Sequence, residues 1–192
     1  MGNHKTFILV FSALGITLNV VLGTLVSMMK IPLLFLDTIG TVLVSVVFGP
    51  WWGAITGLLT NVVLGTTTEP SAVFFGLVNI TIALVTGFMA RKFNFAKWYV
   101  ALSTGLMLSI IAPLIGTPIA VALFGGLNGS GMDLVVLWAR AAGHDILAST
   151  FISRITGNFV DKILTCLLVM FLISRVPSIQ KTYNKKGSDH AA

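Results

Sequence analysis

The residues able to do chemistry in this chain are few, and they keep unusual company. Asp and Glu number 6 and Lys and Arg 12 among 192 residues, and several stand inside long apolar runs. An ionisable side chain at membrane depth is costly to bury, so each marks a candidate functional site. Asp37 leads the run FLDTIGTVLVSVVFGPWWG at 35–53. At a helix start it reads either as an N-cap that complements the helix dipole or as a ligand contact. Asn61 and Asn79 lie within apolar segments, where each serves either an interhelical hydrogen bond or a ligand. Glu69 follows Thr66-Thr67-Thr68 in a proline-containing loop and reads as solvated or as a ligand contact at the rim of a site.

The densest cluster is Arg140, His144 and Asp145. Arg and His four residues apart share a helical face, and beside a carboxylate they can grip a small polar or anionic ligand. The competing reading is a self-contained salt bridge at the headgroup level. Arg140, His144, Leu147, Phe151, Arg154, Asn158 and Asp161 recur at steps of three or four, which predicts one continuous face. Asp161-Lys162 is expected to pair structurally with Arg154. Neighbouring His and Asp point apart on a helix and no partner ligands stand at metal spacing, so neither a metal site nor catalytic residues are expected. The single cysteine, Cys166, excludes an internal disulfide and reads as a buried apolar residue. The phosphate-cradling pattern G-x-x-x-x-G-K-[ST] is missing, so energy for any transport is expected from an ion gradient or a partner. The sequons at Asn79 and Asn128 read as chance.

The elements that must position these residues follow from hydropathy. The chain is 56% hydrophobic and 9% charged, with a mean hydropathy of +0.97. A soluble domain carries about 25% charged residues, so the expected solvent is lipid. The net charge of +6 gathers at the ends of apolar runs, a topology signal rather than a nucleic-acid one. Apolar stretches cover 7–29, 71–90, 98–124 and 157–176, with a hairpin at 33–49 and 51–65. The first is too long for a signal-peptide core and is expected to be a retained span. If Lys5, Arg91-Lys92-Lys97 and the Arg175, Lys181, Lys185 and Lys186 group are all cytoplasmic, each is preceded by an even number of crossings. The hairpin must then cross twice. The expected architecture is all-α, a bundle of six transmembrane helices over 1–176 with both termini cytoplasmic, and a disordered polar tail over 177–192.

Hairpin helices of this length reach only about 20–25 Å, less than a bilayer core. They should leave a depression in the external half, with Asp37 and the 66–69 loop at its rim. A helix running unbroken over 133–174 would be about 63 Å long, so a break near Gly143 or Gly157 is expected, with the first part over the external mouth. Ala13 and Thr17, with Gly15 and Asn19 beside them, put small residues at spacing four on the first span. That suits either internal packing or docking on another subunit.

The stretch LDTIGTVLVSVVFGPWWGAITGLLTNVVLG at 36–65, LVNITIALVTGFMAR at 77–91, LFGGLNGSGMDLVV at 123–136 and NFVDKILT at 158–165 together resemble the S component of energy-coupling factor (ECF) transporters, the vitamin importers of bacteria. The resemblance implies a six-helix, multi-pass subunit of the bacterial plasma membrane, without catalytic activity or a cofactor of its own. It implies binding of a water-soluble vitamin near the outer face, and toppling of the subunit to deliver it inward. It also implies partners: a transmembrane coupling subunit and two ATPase subunits that use ATP. The family docks through a small-xxx-small motif in the first helix, here matched by Ala13-xxx-Thr17 around Gly15. A hydroxymethylpyrimidine- or pyridoxine-like ring is the expected ligand, with pantothenate as the alternative. A stand-alone ion-coupled carrier and a membrane-embedded enzyme using His144 and Asp145 are the competing classes.

Overall fold

Two prolines shape the first half of the chain. Pro32 lies just beyond the end of α1 (Gly2–Met29), and Pro50 opens α3 (Pro50–Thr67) immediately after α2 (Ile39–Phe48). Proline restricts the residue before it to extended backbone and lacks the N–H that would continue a helix, so it suits a first helical turn and stops a preceding one. The computed structural model describes the backbone of residues 2–189 and side chains over 5–184. After α3 come a short 3-10 segment (Pro70–Phe75), α4 (Gly76–Lys92), α5 (Trp98–Phe124), α6 (Asp133–Ala141), α7 (Ile146–Arg175) and α8 (Pro177–Asp189). No strand occurs among the described residues.

The chain is all-helical and carries the signature of a multi-pass membrane protein. Among the described residues four spans, Lys5–Met29, Pro70–Lys92, Trp98–Phe124 and Ile146–Arg175, are long and apolar enough to cross a membrane, and Ile39–Phe48 is a shorter apolar helix. Phe7, Leu14, Met28, Leu58, Leu114 and Phe171 point outward from the bundle, as lipid-facing side chains do. The helix α2 is apolar all round, and every residue from Ile39 to Val47 is buried. That composition fits the centre of a bundle, not its surface. At ten residues it is about 15 Å long, half a bilayer core. It packs against α1, α3, α4, α7 and α8, while α5 and α7 lie side by side.

Two devices seat α2. A Cβ added to Gly40 would fall 2.0 Å from the carbonyl oxygen of Gly15, so α1 and α2 touch backbone to backbone. Beside that contact, the buried Asn19 side chain donates from Nδ2 to Thr41 and Thr60 hydroxyls at 2.9 and 3.1 Å. Its Oδ1 accepts the Gly40 N–H at 2.7 Å. One amide thereby joins three helices, with each of its polar atoms satisfied in an apolar setting.

The helix expected to begin near residue 33 begins at Ile39 instead. Residues 30–38 are irregular, with positive φ at Lys30, Leu33 and Leu36. Such conformations are disfavoured for side-chain-bearing residues and persist only where tertiary contacts hold them. The break expected near Gly143 or Gly157 falls at Gly143, which adopts φ 92°, whereas Gly157 lies inside α7. The polar tail expected to be disordered forms α8 over Pro177–Asp189, and Ile179 and Tyr183 pack on the core. There the Phe95 N–H donates to the Tyr183 hydroxyl at 2.9 Å, and burial raises that hydroxyl's pKa above its ordinary value. Lys185 and Lys186 lie outside the side chains described.

Candidate ligand-binding cavity

The irregular 30–38 segment is held from α7. Asp161, fully buried, accepts the N–H groups of Phe35 and Leu36 on Oδ1 at 2.8 and 2.9 Å, and pairs through Oδ2 with Lys162 Nζ at 2.6 Å. Lys162 also donates to the Thr38 hydroxyl at 2.9 Å and stands 3.6 Å from Asp37 Oδ1. A buried carboxylate that accepts several N–H bonds is the natural anchor for backbone with unsatisfied donors. The anchored segment is one side of a cavity of about 320 Å³, within the range of small-molecule sites.

The cavity lies at the end of the bundle formed by the C-terminal parts of α1, α3 and α5, the N-terminal parts of α4 and α7, the 3-10 segment and the 128–132 loop. Gly49-Pro50, Arg91, Lys92, Lys97 and Arg175 lie at the other ends of the helices that line it. Asp37 is sealed on Oδ1, which accepts no hydrogen bond, yet 40% of its side chain is exposed. The Arg154 guanidinium lies over the Phe75 ring, 5.0 Å from its centroid, and Phe75 stacks on Phe124 with centroids 6.3 Å apart. A Cβ at Gly116 would stand 3.0 Å from Arg154 Nη1, so the absent side chain leaves room for the guanidinium. Among the described residues Arg154 has no carboxylate within ion-pair distance.

Asn61 and Asn79 form a directed relay. Asn61 Nδ2 donates to the Ala72 carbonyl at 2.8 Å, which requires its Oδ1 to face Asn79, whose Nδ2 donates to it at 2.8 Å. The network itself thereby assigns both amide orientations. Asn79 Oδ1 is left buried without a donor. Glu69 lies on the rim, accepting the Ser71 hydroxyl, and Asn158 completes the α7 wall. Asp133 closes the 128–132 loop by accepting the Gly129 N–H at 2.8 Å and the Asn128 N–H at 3.3 Å.

Of the residues singled out in the sequence, Asp37, Asn61, Glu69 and Asn79 line this cavity, and Arg140, His144 and Asp145 do not. Those three are exposed at the α6–α7 junction, where Asp145 accepts the Ala148 N–H at 2.6 Å and caps α7. The capping role considered for Asp37 thus belongs to Asp145, since α2 has no side-chain cap. The expected single face from Arg140 to Asp161 is divided at Gly143. On α7 the cavity wall runs Arg154, Asn158, Lys162, at steps of four, while Asp161 turns toward the 35–36 backbone. Arg154 does not pair with Asp161. The i, i+4, i+8 spacing was present in the sequence, but Asp161 and Lys162 fit a helical stripe equally well. Ala13 and Thr17 are exposed, whereas Gly15 is buried against α2.

No protein-family model matches the chain, and neither curated proteins nor solved structures give a match. Fold and site together define a multi-pass helical membrane protein with a ligand-sized cavity, lined by paired charges and aromatic rings, at one end of its bundle.

Proposed function

We propose that this chain is the substrate-binding subunit of an energy-coupling factor importer in the bacterial plasma membrane. The observation that carries the reading is the cavity of about 320 Å³, which lies at the end of the bundle away from Arg91, Lys92, Lys97 and Arg175. Basic residues favour the cytoplasmic side, so the cavity opens outward. Both termini are then cytoplasmic, and α2 and α3 complete six crossings, with α2 reaching its full depth only through the 30–38 segment.

The ligand is a small ring compound of the hydroxymethylpyrimidine or pyridoxine kind, seated against Phe75 and Phe35. Pantothenate is the second reading, favoured by the guanidinium of Arg154, which has a carboxylate partner to gain. After binding, the subunit topples to present its cavity to the cytoplasm. Moving one unpaired charge through hydrocarbon costs about 2.5–3.5 kcal/mol on insertion scales. Pairing Asp161 with Lys162 inside the bundle lowers that cost. ATP is used by two ATPase subunits that act through a transmembrane coupling subunit. The outward Ala13 and Thr17 suit close helix docking on that subunit, whereas Gly15 serves internal packing.

The test is reconstitution. Vesicles holding this chain with coupling and ATPase subunits should take up ligand only with ATP, and vesicles holding the chain alone should not. Uptake by the chain alone, driven by an ion gradient, would replace the reading with a stand-alone carrier. A cysteine at Pro50 should resist an impermeant thiol reagent added to intact cells.

A further inference from the structure

Asp37 and Arg154 share the cavity without meeting each other. Asp37 comes from the 30–38 segment and has its one sealed oxygen beside Lys162, which is already engaged by Asp161 at 2.6 Å and by Thr38 at 2.9 Å. The rest of the carboxylate is open. Arg154 comes from α7, lies over Phe75 and has no ion pair among the described residues. Lys162 is neutralised from behind the wall by Asp161, which leaves Asp37 and Arg154 as opposite charges facing the cavity, with Glu69 and Lys30 at the rim. A net ion entering such a site leaves one wall charge uncompensated, and an unpaired charge away from water is expensive. A ligand carrying both signs satisfies both walls.

We infer that the cavity selects a dipolar, net-neutral ligand whose cationic or donating group meets Asp37 and whose anionic or strongly accepting group meets Arg154, with a flat body against Phe75. This rests on the cavity being a small-molecule site, not on import. The guanidinium stands over the ring and forms no ion pair among the described residues, so its forked donors are left for an acceptor, a planar bidentate arrangement that lysine does not offer. Each end of the ligand gains a charge-assisted hydrogen bond, so loss of either weakens binding by about tenfold or more. A singly charged compound of the same size gains one such bond and leaves the opposite wall unpaired.

The experiment is calorimetric titration of the purified full chain in lipid nanodiscs with three benzenes of matched size. These are 4-(aminomethyl)benzoate with both charges, 4-methylbenzoate with the anion alone, and 4-methylbenzylamine with the cation alone. The zwitterion should bind at least about tenfold tighter than either. Asp37→Asn should erase its advantage over 4-methylbenzoate, and Arg154→Gln its advantage over 4-methylbenzylamine. Lys162 keeps Asp161 and Thr38 in the first variant, and helix content with thermal unfolding checks that both variants fold. If a variant does not fold, the three-probe comparison on the unaltered chain decides alone. Equal binding of 4-methylbenzoate and the zwitterion, competed by chloride, would make Arg154 a simple anion site and overturn the inference. So would equal binding of the cation, or no binding of all three. Failure of ATP-driven uptake would leave this result standing, which separates the two readings.

Discussion

The two ends of this bundle are built on different principles. At the Gly49-Pro50 end, α2 and α3 meet in a tight turn, Phe7 and Phe11 each pack edge to face on Phe48 with centroids 5.9 and 5.2 Å away, and Trp51 and Trp98 are exposed. Packing there is mostly apolar, with aromatic rings suited to a membrane interface, and its polar link is the Phe95 N–H donated to the Tyr183 hydroxyl. At the cavity end the chain leaves α1 for nine irregular residues, and a buried carboxylate on a distant helix holds them. The difference teaches where this protein spends order. A helix satisfies its own backbone, so the first end needs no ionisable side chain inside it. Irregular backbone packed away from solvent must be satisfied from elsewhere, and that requirement brings Asp161 and Lys162 into the same region as the cavity.

The largest effect is expected at Asp161. Asp161→Ala removes the acceptor for two N–H groups and leaves Lys162 with a weaker partner, which should cost about 3–5 kcal/mol, read as a large fall in thermal unfolding temperature in detergent. Less damage is expected at the helix contact. Gly40→Val forces a branched side chain into the carbonyl of Gly15 and should cost about 1–3 kcal/mol by the same measurement. Smallest is Asp145→Ala, about 1 kcal/mol for a lost helix cap, with binding in the cavity unchanged. A large loss of binding in Asp145→Ala would return the Arg140, His144 and Asp145 cluster to the site.

Much of the fold was legible because apolar runs and their breaks are local. The spans near 7–29, 98–124 and 157–176 and the Gly49-Pro50 turn follow from composition and backbone preference, and the break was narrowed to two glycines, of which the structure uses Gly143. The start of α7 at Ile146 and the helix at Pro177–Asp189 did not, because polar residues near helix ends suit either helix or loop until something packs on them. The site was half legible. Asp37, Asn61, Glu69 and Asn79 stood out as polar residues within or beside apolar segments, and they converge on the cavity. Arg140, His144 and Asp145 stood out for the same reason, yet Asp145 caps a helix outside it.

By itself the sequence determined that the chain is helical, lipid-embedded and sparing with charge, since these follow from hydropathy summed over each segment. Only the tertiary structure decided which of two adjacent charged residues faces the cavity. Asp161 and Lys162 differ by one step on a helix, about 100°, and that rotation is set by what α7 packs against. It also decided that Arg154 lies on an aromatic ring instead of pairing with Asp161, because the ring and the carboxylate come from segments far apart in the chain.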